Sequence, residues 1–98
     1  MIRRTACWQT TIDERLLEHL RDAGETTVAM LGSRLDLPRG ILRDRLRMLA
    51  QVNLVAVERV DGEDWYDLFY WGQLYLQGEY DVRLYPQPDP DAGYRMRV

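Results

Sequence analysis

Arg39, Arg43 and Arg47 recur at every fourth residue, with Gly40 and Asp44 directly after the first two. On a helix that spacing places three guanidinium groups along one face. Each is a planar fork that donates paired hydrogen bonds to a phosphate or to the O6/N7 edge of guanine. A glycine in the same turn lets the backbone come close to a phosphate or base. Asp44 has two uses, accepting a hydrogen bond from cytosine N4 or pairing with a neighbouring arginine, and the second is preferred. The stretch from Arg34 to Arg47 holds five arginines against two aspartates, whereas the other eight arginines face fourteen acids. An acidic chain with one basic segment has a localised electrostatic footprint suited to nucleic acid. The competing reading is a solvated face that merely balances nearby acids.

Other chemistries fail on inventory. One cysteine, Cys7, and one histidine, His19, cannot supply three or four ligands to a metal. Ser33 is the sole serine and lacks a Gly-x-Ser-x-Gly elbow, and no glycine-rich phosphate loop is present. No nucleophile can be placed beside its base, so the chain reads as a non-enzyme with no cofactor and no metal. Ninety-eight residues with 46% hydrophobic and 30% charged side chains make one small globular domain. The longest apolar runs, such as Leu54 to Val57, are far too short for a membrane span, and the N-terminus carries no signal-peptide pattern. A cytoplasmic location is therefore expected. The formal charge is -3, and all thirteen basic residues are arginine. A GC-rich genome or a high-salt cytoplasm would each account for that choice.

The elements that must position the arginines follow from periodicity. Thr11 and Glu14 read as a capping box opening helix 1, about Thr11 to Arg21, with Ile12, Leu16, Leu17 and Leu20 on its inner stripe. Ala23-Gly24 ends it. Glu25 to Thr27 is expected as a very short strand, with Thr27 then capping helix 2, Val28 to Leu35. Asp36-Leu37-Pro38 makes a tight turn into helix 3, about Pro38 to Gln51. At 100° per residue, Leu46 and Leu49 lie within about 40° of Leu42. Gly40, Arg43, Asp44, Arg47 and Gln51 fall on the opposite half, and Arg39 lies at its edge. Asn53 suits a left-handed terminator. The period then becomes two: Val55 to Val60, an acidic turn Asp61-Gly62-Glu63-Asp64, and Trp65 to Phe69 form a hairpin. Trp71, Leu74, Tyr75 and Gly78 return to helical spacing. Pro86, Pro88 and Pro90 make the tail extended or disordered.

Helix, short strand, helix, turn, helix, strand, wing, strand is the order of a winged helix-turn-helix. Three segments carry a more specific resemblance. Trp8-Gln9-Thr10-Thr11-Ile12-Asp13-Glu14-Arg15-Leu16-Leu17-Glu18 resembles the helix 1 entry of haloarchaeal winged-helix regulators of the halophage phiH repressor-like group. Leu37-Pro38-Arg39-Gly40-Ile41-Leu42-Arg43-Asp44-Arg45-Leu46-Arg47-Met48-Leu49 is similar to their recognition helix, and Tyr75-Leu76-Gln77-Gly78-Glu79-Tyr80-Asp81 to their closing helix. Asn53, where glycine is usual, and Phe69-Tyr70-Trp71 at the strand-to-helix corner depart from the pattern. The resemblance implies a DNA-binding transcription regulator, commonly dimeric, in a high-salt cytoplasm.

The expected architecture is accordingly α+β, mainly α. It comprises an N-terminal arm over 1–10, a winged helix-turn-helix domain over 11–82 with a three-helix core, hairpin wing and short fourth helix, and a proline-containing tail over 83–98. The expected partner is double-stranded DNA, bound by a homodimer with helix 3 in the major groove. Arg34, Arg39, Gly40, Arg43, Asp44, Arg47 and Arg59 are the candidate contacts. The acidic wing, with Arg59 as its one base, would repel phosphates. The rival reading is a winged-helix protein-interaction module. Its binding face would be the aromatic segment 65–85, with Trp65, Tyr66, Phe69, Tyr70, Trp71, Tyr75, Tyr80 and Tyr85. A compact aromatic mini-core beneath the wing explains the same residues equally well.

Overall fold

The protein is described from a computed structural model over Arg3 and residues 5–84. Of the expected proline-containing tail over 83–98, residues 85–98 lie outside the described residues. Helix α1 spans Thr11–Ala23, α2 Val28–Leu35 and α3 Arg39–Gln51. Strands β1 (Val55–Val60) and β2 (Glu63–Leu68) form the hairpin, α4 (Tyr70–Leu76) follows, and a 3-10 turn covers Val82–Leu84. This is an α+β, mainly helical, winged helix-turn-helix fold. No helix among the described residues is long and apolar enough to cross a membrane.

Local signals place the helix ends. Thr27 caps α2 by accepting from the Met30 amide. Asp36, at φ 54°, ends it in the left-handed region that aspartate tolerates, and Leu37 N–H bonds back to the Gly32 carbonyl at 3.3 Å. Asn53 is left-handed as expected, at φ 64°. The start of α1 differs from the expected box by one residue. Thr10 is the N-cap, accepting from Asp13 N–H while the Asp13 carboxylate accepts from Thr10 N–H at 2.9 Å. Glu14 is engaged elsewhere: its carboxylate accepts from the Tyr75 hydroxyl and from Arg3.

The core is the leucine set the periodicity selects. Leu16, Leu17, Leu31, Leu42, Leu46, Leu49 and Leu54 are fully buried, joined by Val55, Val57, Tyr66, Tyr75 and Val82. The expected strand before α2 is a single bridge, with Thr26 N–H donating to Tyr66 O at 2.8 Å and Tyr66 N–H to Thr26 O at 2.7 Å. It ties the hairpin to the foot of α2. The hairpin is antiparallel, pairing Val55 with Leu68 through Val60 with Glu63. Its loop is therefore the two residues Asp61-Gly62 and not the four expected. Their φ values of 52° and 80° are the positive pair that a type I′ turn requires. Val55 and Val57 reach the core, but from Glu58 to Glu63 every residue is exposed, so the wing stands clear of the domain.

Helix α4 docks through Gly72. A Cβ built there would lie 2.2 Å from the Leu54 carbonyl oxygen, which also accepts from Phe69 N–H at 3.1 Å. Gly72→Ala is expected to destabilise the domain by roughly 1 to 3 kcal/mol through this overpacking. At Gly40 a Cβ meets nothing within 4 Å, so Gly40→Ala is the matched control. Urea midpoints for both variants check the docking, and an unshifted Gly72→Ala midpoint would contradict it.

The chain before α1 packs against α1 and α4. Arg3 donates from Nε to the Leu76 carbonyl at 3.1 Å and from a terminal nitrogen to Glu18 at 2.8 Å, and Thr5 and Tyr75 share a hydroxyl bond of 3.1 Å. Burial, reinforced by the hydrogen bond to Glu14, pushes the Tyr75 phenol up to about 12. Because the folded state favours the neutral phenol, its contribution is complete below pH 10 and is lost as pH rises towards 12. Tyr75→Phe should remove that part of the alkaline loss of stability, read as the difference between denaturation midpoints of the two proteins across pH 9 to 12.

Candidate nucleic-acid interface

Helix α3 carries its leucines inward and its charges outward, as the 100° rotation dictates. Arg39, Gly40, Arg43 and Asp44 are exposed on α3, and Arg34 is exposed in the last turn of α2. Arg34, Arg39 and Arg43 make no hydrogen bond or ion pair with another described residue. Asp44 forms no direct salt bridge among the described residues, and its charge acts at longer range on the adjacent Arg45. Arg47 is half-buried, less accessible than its place on the helical wheel suggests. Pro38 supplies no side-chain cap at the start of α3, and no acid occupies its first turn.

Arg45 is the member of the basic cluster that turns away. Its Nε donates to Asp13 Oδ1 at 2.8 Å, and one terminal nitrogen donates to Asp13 Oδ2 at 2.7 Å and to the Trp8 carbonyl at 3.0 Å. The Asp13 side chain is wholly buried and that of Arg45 is 17% exposed. The hydrogen bond to Asp13 raises the Arg45 guanidinium above its already high value. This paired fork clamps α3 onto the start of α1 and withdraws one of the five local arginines from any ligand. Sequence periodicity hinted at it only by placing Arg45 near the inner stripe.

The wing brings Arg59 to the same side as α3. A cavity of about 260 Å³ is walled by Arg39 and Arg43 of α3, Thr27 to Ala29 at the start of α2, and Arg59, Gly62, Glu63, Asp64 and Tyr66 of the hairpin. Three candidate arginines thus share one groove, while Arg34, Gly40, Asp44 and Arg47 lie outside its walls. Arg59 is occupied in part, donating to Asp64 at 2.9 Å and to the Gly62 carbonyl at 3.0 Å.

The aromatic segment is mostly consumed within the fold. Tyr66, Tyr75 and Tyr80 are buried, and Trp65, Phe69 and Trp71 are half-buried. The Trp71 and Tyr80 rings stack with centroids 5.2 Å apart, and Tyr70 meets Trp71 edge-on at 5.3 Å. Tyr70, 61% exposed, is the one fully exposed aromatic among the described residues of this segment. Cys7 is exposed.

No family model matches the chain, and no curated protein matches it. Among solved structures, the crystal structure of the PhiH1 repressor-like protein from Haloarcula marismortui is similar to it at 26% identity and a TM-score of 0.74, covering 89% of this chain and 98% of that one. In fold, the chain is therefore like a haloarchaeal phiH repressor-like protein.

Proposed function

We propose that the protein is a sequence-specific duplex-DNA-binding transcription regulator that acts as a homodimer and carries out no catalysis. The observation that carries this reading is the convergence of Arg39 and Arg43, both exposed on α3, with Arg59 of the wing on one groove. A recognition helix beside a wing is the arrangement that enters a major groove while the wing lies along the neighbouring backbone. The repressor-like name of the structural neighbour agrees with that use. Burial of Tyr66, Tyr75 and Tyr80 and half-burial of Trp65, Phe69 and Trp71 weigh against the aromatic segment as a docking face for another protein. Arg34 would brace α2 on a phosphate, and Arg39 and Arg43 would reach phosphates or guanine edges. Gly40 would admit the backbone closely, and Asp44 and Arg47 would flank the reading face.

Affinity for duplex DNA measured across a salt series tests the proposal. Release of counterions by Arg34, Arg39 and Arg43 gives a log–log slope of about -3 for each protomer. A flat dependence, or no binding at low salt, would refute it. A dimer reading DNA would further place two copies of α3 about 34 Å apart on one face.

A further inference from the structure

The wing carries one base and places an acid directly across from it. Arg59 and Asp64 are paired partners in the hairpin register, and their side chains meet at 2.9 Å while a second nitrogen of Arg59 folds back onto the Gly62 carbonyl at 3.0 Å. Arg59 is 56% exposed and the Asp64 side chain 23%. The pair sits on the wall of the groove that Arg39 and Arg43 also line, together with Glu63. Three guanidinium groups there face two carboxylates. An exposed cross-strand ion pair contributes little to stability, so its main consequence is electrostatic. It satisfies the wing arginine internally and holds a negative charge where a DNA backbone would pass.

We infer that the Asp64 carboxylate is an intramolecular stand-in for a DNA phosphodiester, holding the phosphate-binding position of Arg59 until duplex displaces it. The inference rests on the DNA-binding reading and adds a phosphate seat at Arg59, together with the residue that competes for it. Binding then exchanges one charge-assisted hydrogen bond for another: Arg59 leaves Asp64 for a phosphate, and the released carboxylate faces the duplex. Wing engagement is therefore self-limited, and Arg39 and Arg43 supply most of the affinity in the parent protein.

The probe is a mixed-sequence duplex of about 30 base pairs, long enough to give phosphate contacts without requiring the operator. Asp64→Asn keeps the side-chain shape and removes the charge. It should tighten binding roughly three- to tenfold at low salt and steepen the log–log salt slope by about one. Asp61→Asn makes the same charge change at the turn, outside the groove walls. Asparagine suits its left-handed backbone, so the variant keeps the hairpin; it should tighten binding much less. In an Arg59→Ala background the Asp64→Asn gain should shrink to that of Asp61→Asn, with far-ultraviolet dichroism confirming that every variant remains folded. Equal gains from Asp61→Asn, a gain undiminished in Arg59→Ala, or no gain at all in a parent that binds DNA would overturn the inference alone. A parent that binds no duplex would overturn the DNA reading and this inference with it.

Discussion

Asp13→Ala should lower the stability of the domain by about 3 to 4 kcal/mol, a large share of the roughly 5 to 15 kcal/mol that holds a native protein together. The Asp13 carboxylate accepts from Thr10 N–H and twice from Arg45, and its side chain is wholly buried. Truncation leaves an arginine with a side chain 17% exposed and without its hydrogen-bonded counter-charge, and it removes half of the capping box of α1. Arg45→Ala should cost a similar amount by stranding the buried carboxylate. The double variant should cost much less than the two single losses together, since neither partner is then left unpaired. Urea denaturation followed by dichroism gives all three values. An unchanged midpoint for Asp13→Ala would show that the pair does not secure α3 to α1.

Arg39→Ala with Arg43→Ala should reduce DNA affinity at least about thirtyfold while leaving the denaturation midpoint within about 0.5 kcal/mol of the parent. Each side chain is exposed, and neither bonds to another described residue, so folding has little at stake in them. Each is expected to contribute about 1 to 3 kcal/mol to binding where it reaches a phosphate or a guanine edge. Arg45 supplies the contrast on the same helix: its loss should act through stability. Filter binding or fluorescence anisotropy, run beside the stability measurement, separates the two effects. Operator affinity retained in the folded double variant would contradict the assignment of this face.

The order of elements was legible because its signals are local. The leucine stripe of α3, the Thr27 cap, the left-handed Asn53 and the change of period at Val55 each lie within a turn or two of what they specify, and the structure places them as expected. At the start of α1 the local reading, Thr11 with Glu14, was off by one residue. Thr10 with Asp13 and Thr11 with Glu14 satisfy the same capping pattern, and the outcome was decided by Arg45, 32 residues from Asp13, and by Tyr75, 61 residues from Glu14. The candidate site divides the same way. That arginines cluster on the outer face of one helix follows from composition and the 100° rotation. That Arg45 leaves the cluster, that Arg59 joins the groove already paired with Asp64, and that Gly72 must be glycine beneath the Leu54 carbonyl do not follow from either. Helical rotation sorts side chains into inner and outer faces. Which charge meets which countercharge, and where two backbones touch, depends on how separately formed elements pack, and only the tertiary structure decided those contacts.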